Sequence, residues 1–307
     1  MKKVLVSGGT GFVGRALTQA LLRQQDEVTV ASRDPRREEG LRWRHVVWDT
    51  ESGRGMSPAL VAEQDAIVHL VGAPAVGVRW TRRVKRAIHD SRVESTRQLV
   101  EALREAAPRP QVLVCASAVG YYGPRPAREV VDETGEPGSD FLATVCVAWE
   151  AAARAATDFG VRVVSARLGV VLGRGGGALP SLVAPFHALL GGTIAGGRQM
   201  VSWIHLEDAV RGLIRCLDDE ALKGAVNVTA PRPVANRELA TTLGRVLRRP
   251  AWVNVPASAL RLRFGDGAEP LATGQAALPA KLRSVGFEWR YPELSDALSE
   301  LLDARST

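Results

Sequence analysis

The amino-acid sequence predicts an α/β fold built around a doubly wound parallel sheet, with a smaller C-terminal α/β region. Three observations lead to this prediction. Short β-rich runs alternate with amphipathic helical stretches through the first half of the chain, which is typical of βαβ units. A glycine-rich turn follows the first of these runs. After Gly173 the sequence becomes rich in glycine and proline, which indicates a second, more loop-rich region.

The predicted elements follow one another in a regular order. The strands, in chain order, are "KKVLVSG", "EVTVASR", "RHVVWD", "DAIVHLVG", "QVLVCAS" and "VRVVSARLG". Between them the pattern predicts a helix from Phe12, a long helix from about Trp80 to Ala107 and a helix from about Asp140. Because parallel strands need crossover connections, this order predicts one sheet with helices on both faces.

We divide the chain at residue 172. Residues 1–172 carry the predicted sheet, and residues 173–307 carry the loop-rich segments "GRGGGALP", "LLGGTIAGGRQ" and "NVTAPRPVAN". Open α/β sheets bind ligands at the carboxyl ends of their strands, and we expect the second region to lie over those ends. We therefore interpret residues 173–307 as a substrate-binding region that is interwoven with the first.

Composition limits the class of protein. The chain has 307 residues, 46% of them hydrophobic, and no run of about 18 apolar residues, so we expect neither a membrane span nor membrane binding. The N-terminus enters a strand directly without a secretory signal, which favours a cytoplasmic location. Cys115, Cys146 and Cys216 lie in apolar segments without CxxC or Cys/His spacing, so the sequence predicts reduced core cysteines and no metal site.

A formal net charge of +7 raises the question of nucleic-acid binding. The arginines are scattered and no aromatic-plus-basic module accompanies them, so we expect no nucleic-acid partner. Two basic clusters stand out, one at Arg33, Arg36 and Arg37 and the other from Arg79 to Arg92. Each is explained either by a phosphorylated small ligand or by a solvated surface.

The stretch "SGGTGFVG" indicates a nucleotide site. Gly8, Gly11 and Gly14 have GxxGxxG spacing between the first strand and the first helix. Glycines at this turn let the backbone approach a pyrophosphate, whose charge is stabilised by the helix N-terminus. Because the motif lies in the first βα turn of a βαβ series, it predicts a Rossmann-type dinucleotide-binding fold.

The end of the second strand indicates which dinucleotide is bound. An NAD site usually has a carboxylate there for the ribose 2′-hydroxyl, whereas an NADP site has a basic residue for the 2′-phosphate. This strand ends in Ser32 and Arg33, so NADP(H) is the predicted cofactor. Asp49, after the third strand, is either an acceptor for the adenine amino group or a polar residue that ends a strand.

These features resemble the short-chain dehydrogenase/reductase superfamily in its extended form, which includes nucleotide-sugar epimerases. The chain is most similar to the atypical subfamily called "epimerase family protein", some members of which are described as cell-division inhibitors. The matching stretches run almost from end to end and are "GGTGFVG", "RWTRRVKRAIHDSR", "SAVGYYG", "DFLATVCVAWEAAA", "RLGVVLGRGGGAL", "GGTIAGGRQMVSWIHLEDAV", "NVTAPRPVANREL" and "LPAKLRSVGFEW".

The resemblance implies a catalytic serine at the end of the fifth strand, which Ser117 matches, and a Tyr-x-x-x-Lys pair on the next helix. At the positions of that pair this chain has Leu142 and Cys146, neither of which can perform the proton transfer. Tyr121 or Tyr122 would have to donate the proton instead, or would only shape the pocket. Lys85 is the candidate cation for either tyrosine. Lys85, His89, Arg92 and Thr96 would share one face of the long predicted helix, either as a cationic wall beside the nicotinamide or as a solvated surface.

The resemblance also implies contacts along the rest of the cofactor and with the substrate. Leu168, Gly169 and Val170 would contact its nicotinamide end, or only pack where the strand ends. The other implied cofactor contacts are Thr10, Phe12, Val13, Val71, Gly72, Arg92 and Ala116. The implied substrate contacts are Arg198, Trp203 and His205, although the sequence favours His205 as a structural residue in a segment that fixes the start of a helix.

The predicted function is therefore NADP(H)-dependent reduction or epimerisation at a hydroxyl or carbonyl group of a small, anionic metabolite. Because the Tyr-Lys pair is missing, the alternative is a catalytically silent NADP(H)-binding sensor or scaffold, for example in cell division. The resemblance also implies a homodimer formed through the helix that carries Leu142 and Cys146.

Overall fold

A computed structural model describes residues 1–33 and 43–303. Its strands are β1 (Lys3–Ser7), β2 (Glu27–Ser32), β3 (Arg44–Val47), β4 (Ala66–His69), β5 (Val112–Ala118), β6 (Val130–Val131), β7 (Arg162–Leu168), β8 (Val170–Gly173), β9 (Gly176–Gly177), β10 (Gly192–Ile194), β11 (Met200–Val201), β12 (Trp203–His205), β13 (Gly224–Val228), β14 (Val234–Ala235), β15 (Val253–Val255) and β16 (Ala276–Ala277).

The helices enclose these strands. They are α1 (Phe12–Arg23), α2 (Pro58–Ala62), α3 (Arg82–Asp90), α4 (Val93–Glu105), α5 (Phe141–Arg154), α6 (Leu179–His187), α7 (Leu206–Asp218), α8 (Asn236–Leu247), α9 (Ala257–Phe264), α10 (Glu269–Ala272), α11 (Ala280–Ser284) and α12 (Leu294–Leu302). No helix within these described ranges is both long enough and apolar enough to cross a membrane.

The central sheet has seven parallel strands, counted over the described residues, in the order β3-β2-β1-β4-β5-β7-β13. The order of connection reverses between β1 and β4, and open α/β sheets bind ligands at such a point. Alternate side chains of each strand point to opposite faces. Val4 and Val6 therefore pack towards α1 and α7, while Leu5 packs towards α4 and α5. This arrangement confirms the predicted doubly wound α/β fold.

The long helix predicted from Trp80 to Ala107 is wrong. The chain forms two helices, α3 and α4, separated at Ser91 and Arg92. Arg92 is the N-cap of α4, with φ −104° and ψ −60°. The sequence contains no glycine or proline to signal this break. Because the helix axis is interrupted here, Lys85 and Arg92 do not lie on a common helix face.

The chain returns to the central sheet after the predicted boundary at residue 172. Helix α7 packs on the β1 and α1 side of the sheet, and β13 adds the strand beside β7. A separate apolar core, formed by α6, α8, α12 and β12, holds the rest of residues 173–307 together. The boundary therefore divides the sequence but not the sheet. The three cysteines are buried and free, as predicted.

Candidate functional site

The turn between β1 and α1 is packed so closely that its glycines are required. Gly8 has φ +74°, and a Cβ atom there would lie 2.8 Å from the carbonyl carbon of Leu70. A Cβ atom at Gly14 would lie 2.1 Å from the carbonyl oxygen of Gly8. Only glycine at both positions allows the turn, the helix and the end of β4 to approach one another.

The N-terminus of α1 is suited to an anion. Gly11 is the N-cap and offers no side-chain hydrogen bond, and no acidic residue occupies the first turn. The first backbone N–H groups of a helix have no intrahelical acceptor and carry partial positive charge. The Gly11 N–H donates to the carbonyl of Gly8 at 3.0 Å. The turn therefore fits a dinucleotide pyrophosphate, which would be held by the N–H groups of Phe12 and Val13.

A hairpin from the second region covers the same turn. The Phe12 ring packs against Gly173, Gly176 and Gly177, where an added Cβ atom would lie 2.7, 2.4 and 2.6 Å from its ring atoms. Beside this contact a cavity of about 380 Å³ is bounded by Thr10 and Gly11 of the turn, by one side of α1, by Arg174 and Gly175, and by Leu206. The glycine-rich segment thus connects the cofactor turn to the region after residue 172.

The end of β2 presents the residues predicted for the adenosine phosphate. Ser32 is partly buried and its Oγ lies 2.8 Å from Nε2 of His45, while Arg33 is exposed. Arg36 and Arg37 lie outside the described residues. Asp49 belongs to a tight turn, in which the Ser52 hydroxyl and the Glu51 N–H donate hydrogen bonds to its carboxylate. These hydrogen bonds lower the pKa of Asp49.

A buried histidine that sequence reasoning missed lies at the end of β4. His69 lies 2.6 Å from Ser7 Oγ through Nδ1 and 3.1 Å from Ser95 Oγ through Nε2. Ser95 donates its hydrogen to the carbonyl of Ser91, at 2.7 Å, so Nε2 of His69 carries the proton and Nδ1 accepts from Ser7. Burial lowers the pKa of His69 to about 3. The neutral ring therefore connects β1, β4 and α4. Val71 and Gly72 follow β4, and they are partly exposed and exposed, respectively.

Ser117 is held by a second group that sequence reasoning missed. It is buried at the end of β5, and its hydroxyl donates to Oε1 of Glu150 on α5 at 2.6 Å. Glu150 also accepts hydrogen bonds from Arg167 of β7. Because its own hydrogen is engaged, the Ser117 oxygen can only accept from a ligand, unless the Glu150 contact breaks. The signal in the sequence was Arg167, a charged residue within the predicted strand "VRVVSARLG". Ala116, which precedes Ser117 on β5, is buried in the sheet.

The two adjacent tyrosines have different environments. Tyr122 is fully buried, its hydroxyl donates to Oδ1 of Asn227 at 2.7 Å, and it accepts from Nη1 of Arg167 at 2.9 Å. Burial raises the pKa of Tyr122 to about 12. Tyr121 is partly exposed, and Cζ of Arg167 lies 3.4 Å from its ring centroid. Among the described residues none forms a hydrogen bond with the Tyr121 hydroxyl.

The helix that would carry the missing Tyr-Lys pair begins at Asp140, as predicted. Its carboxylate caps α5 by accepting from the N–H groups of Leu142 and Ala143. Leu142 is partly exposed, and Cys146 is buried one turn further along. Burial raises the pKa of the Cys146 thiol to about 12, although the nearby Arg92 charge opposes this shift. Neither side chain supplies an acid or a cation.

Lys85 does not lie against either tyrosine. Its Nζ forms an ion pair with Asp266 at 2.8 Å and lies over the rings of Trp80 and Phe141, at 5.7 and 5.4 Å from their centroids. Lys85 and Arg92 were predicted to share one helix face as a cationic wall beside the nicotinamide, and the break between α3 and α4 separates them. Lys85 instead joins α3 to the segment after α9.

The remaining predicted contacts fall into two groups. Leu168, Gly169 and Val170 are partly exposed where β7 ends, and Arg198 is exposed on the loop after β10. Trp203 is buried in the C-terminal core, with its ring N–H donating to the carbonyl of Arg232. Because the ring is buried, this placement favours a structural role for Trp203.

His205 also differs from a substrate-binding residue. Its Nδ1 accepts from the N–H of Glu207 and so caps α7, and its Nε2 lies 3.2 Å from a carboxylate oxygen of Glu300. The ring packs against Tyr291, with the centroids 4.0 Å apart. These contacts fill its hydrogen-bonding positions, so the geometry favours the structural alternative.

The chain is similar in sequence to known proteins along almost its whole length. The family model described as "NAD dependent epimerase/dehydratase family" matches residues 4–229, and a domain of unknown function, DUF1731, matches residues 255–301. The epimerase family protein YfhF of Bacillus subtilis is 36% identical over 305 residues, covering 99% of this chain and 99% of the relative. Epimerase family protein Mb2239 of Mycobacterium bovis is 40% identical over 297 residues, covering 96% of each chain.

A solved structure shares the fold. The crystal structure of human epimerase family protein SDR39U1 (isoform2) with NADPH superposes with a TM-score of 0.87 at 36% sequence identity. The alignment covers 97% of this chain and 98% of the human chain.

Proposed function

The chain belongs to the NAD dependent epimerase/dehydratase family, a group of nicotinamide-dinucleotide-binding proteins, and from that premise we propose that it is an NADP(H)-dependent reductase or epimerase. Its substrate is a small, anionic metabolite that carries a hydroxyl or carbonyl group at the reacting carbon. The glycine turn and the uncapped start of α1 support dinucleotide binding. The choice of NADP(H) is supported by Ser32 and Arg33 at the end of β2 and by the NADPH in the human relative's structure.

The observation that carries the proposal is the environment of Tyr121. Its ring is fixed on the Arg167 guanidinium, and its hydroxyl has no hydrogen-bond partner in the described part of the chain. It lies three residues after the end of β5, at the edge where the cofactor turn and the ends of β4 and β7 also lie. A fixed phenol with a free hydroxyl at this edge is suited to general acid catalysis.

Three residues of the site would each have a separate role in the reaction. A bound nicotinamide would supply or accept the hydride. Tyr121 would give its proton to the substrate oxygen during reduction and take it back during oxidation. Ser117, whose hydrogen is given to Glu150, would accept a hydrogen bond from a substrate hydroxyl and so orient it. Arg198, exposed and unpaired within the described ranges, is available to the anionic group of the substrate.

Isotope transfer tests this proposal whatever the substrate is. The purified protein would be incubated with NADPH deuterated separately at each face of C4, together with a metabolite extract. We expect one metabolite to gain deuterium from one face only, detected by mass spectrometry. Binding of NADPH without any transfer, and without epimerisation of added sugar nucleotides, would contradict turnover.

The second candidate function is NADP(H) binding without turnover, as a sensor or scaffold. It is favoured by α5, where Leu142 and Cys146 provide neither proton donor nor cation. It is also favoured by Tyr122, whose raised pKa and buried hydrogen bonds remove it from proton transfer. Under this alternative the isotope experiment gives binding but no labelled metabolite, and Tyr121→Phe leaves every property unchanged.

A further inference from the structure

Two loops of the second region meet at the surface of the protein. One follows α6 and contains Leu189 and Leu190, and the other follows α8 and leads to Trp252. The ring N–H of Trp252 donates to the carbonyl of Leu189 at 3.0 Å, and the N–H of Val253 donates to the carbonyl of Gly191 at 3.1 Å. The two loops therefore form one continuous surface, which we call the Trp252 surface.

The Trp252 surface carries three large apolar side chains that the fold does not bury. Leu189, Leu190 and Trp252 are 48%, 58% and 72% exposed. Their exposed area contributes nothing to the hydrophobic stabilisation of the folded chain. Single exposed apolar residues are common on proteins, whereas a group of neighbouring ones indicates a binding surface.

The backbone of the same surface is strained at two positions. Leu189 has φ +60° and Arg248 has φ +54°, in the left-handed region that is unfavourable for any residue with a Cβ atom. Glycine would adopt both conformations at a lower cost. An exposed leucine in such a turn stabilises the folded chain neither by burial nor by backbone preference, which points to a role outside the fold.

Three arginines border the apolar side chains. Arg245 is on the last turn of α8, Arg248 and Arg249 follow it, and all three are exposed. Their side chains form no ion pair or hydrogen bond with the residues that the structure describes. Residues 184–191 and 244–254, which form the two loops and the adjoining helix ends, contain no aspartate or glutamate. The Trp252 surface therefore combines exposed apolar groups with positive charge, which complements an anionic partner.

We propose that the Trp252 surface binds the face of an anionic phospholipid bilayer. Leu189, Leu190 and Trp252 would insert at the level of the headgroups, where tryptophan is favoured, and the arginines would lie against the lipid phosphates. The sequence predicted no membrane binding because it lacks an apolar run of about 18 residues. Binding to the face of a bilayer needs no such run, because the protein does not cross it.

Other occupants fit this surface less well. In a two-fold dimer the same surface faces itself, so the arginines of two copies would repel each other. A standard protein interface includes about 20–30 residues on each side, whereas the apolar part of this surface consists of three large side chains. A few inserted side chains together with several cations are sufficient for reversible binding to a bilayer.

Vesicle flotation with the full-length protein tests the proposal. The vesicles would contain phosphatidylcholine alone, or phosphatidylcholine and phosphatidylglycerol in equal amounts. We expect the protein to float with the anionic vesicles only, and to be released as the salt concentration rises. Trp252→Ala should weaken this binding about tenfold or more, since an inserted aromatic side chain is lost. Arg248→Gln combined with Arg249→Gln should also weaken it about tenfold or more, since each arginine contributes about fivefold.

The matched controls are on α9, where Leu262 is exposed and lies between two exposed arginines in the sequence. Leu190→Ala should weaken vesicle binding, whereas Leu262→Ala should leave it unchanged. Arg261→Gln combined with Arg263→Gln changes the net charge as much as the pair at Arg248 and Arg249, and should leave binding nearly unchanged. Because all the replaced side chains are exposed, thermal unfolding of each variant should remain close to that of the wild type.

Several outcomes would overturn the proposal. Failure of the wild type to float with anionic vesicles at low salt is one, and unchanged binding in Trp252→Ala is another, because it leaves a charge effect alone. Equal weakening by the α9 variants would place the lipid contact elsewhere. If poly-glutamate binds through Arg248 and Arg249 while vesicles do not bind, the surface belongs to an acidic protein partner instead.

Discussion

The carboxylate of Glu150 binds the Arg167 guanidinium through both of its oxygens, with Nε to Oε1 at 2.8 Å and Nη2 to Oε2 at 2.9 Å. Both residues are buried, one on α5 and the other on β7. The same pair holds Ser117 through Oε1 and supports Tyr121 and Tyr122 through the guanidinium. The geometry of the candidate site therefore depends on this one ion pair.

Removal of one partner should be strongly destabilising. Glu150→Ala leaves the Arg167 charge buried without a counter-charge, and we expect a loss of about 3–5 kcal/mol in the free energy of unfolding, measured by urea titration. Glu94→Ala breaks the exposed pair with Arg97 and should cost at most about 1 kcal/mol. Similar losses in the two variants would contradict the central role of the buried pair.

Tyr122→Phe should affect stability. The substitution leaves Oδ1 of Asn227 and Nη1 of Arg167 without their hydrogen-bond partner in a buried space. We expect a loss of about 1–3 kcal/mol in the free energy of unfolding. Thermal and urea unfolding would measure it. A variant as stable as the wild type would contradict a stabilising role for these two hydrogen bonds.

Tyr121→Phe should affect turnover. The Tyr121 hydroxyl has no protein partner in the described ranges, so its loss should change the free energy of unfolding by less than about 0.5 kcal/mol. If it is the general acid, the rate of deuterium transfer from labelled NADPH should fall about 10²–10⁴-fold. Tyr122→Phe, assayed under conditions where it is folded, is the matched control and should retain more activity. An undiminished rate in Tyr121→Phe would exclude it as the donor.

Acid should destabilise the protein through His69. Its pKa is about 3 in the folded protein against 6.5 in the unfolded chain, so the unfolded state takes up the proton first as pH falls. The contribution of neutral His69 to the free energy of unfolding is fully present above about pH 6.5. It is lost as the pH falls from there to 3, at about 1.4 kcal/mol per pH unit.

The comparison variant for this prediction is His69→Asn. Asparagine cannot titrate in this range. Between pH 7 and pH 4.5 the free energy of unfolding of the variant should therefore fall by about 3 kcal/mol less than that of the wild type. His187→Asn, at an exposed position, serves as the control and should follow the wild type. Parallel pH profiles for wild type and His69→Asn would contradict the buried, neutral assignment.

Sequence patterns predicted the sheet and the cofactor turn because both depend on local information. The spacing of Gly8, Gly11 and Gly14 after an apolar strand is visible in eight residues. Six of the seven strands of the central sheet also have their own β-rich run, whereas β13 was not predicted. The start of α5 was also predictable, since Asp140 is a preferred N-cap residue. These features do not depend on which distant segments meet.

The buried polar groups were not predictable in the same way. Glu150 resembles any charged residue on a helix until β7 places Arg167 opposite it. His69 interrupts an apolar strand, and its partners Ser7 and Ser95 come from other elements. The break at Arg92 has no local breaker residue, and the Arg92 side chain donates hydrogen bonds there to the carbonyls of Ala73, in the loop after β4, and of Ile88, on α3. Each depends on tertiary contacts that a single sequence does not contain.

The closeness of Arg92 to Cys146 determines the order in which a conventional lysine can be engineered into this site. Cys146→Lys made first would set an ammonium beside the guanidinium, where Glu150 is already bound by Arg167. Two like charges in such a space repel, which would lower the pKa of the lysine. The lysine would then tend to lose its proton and could not serve as the cation of the site. The two substitutions can be made in either order, but only one order avoids two adjacent positive charges. Arg92 has to be replaced first and Cys146 second.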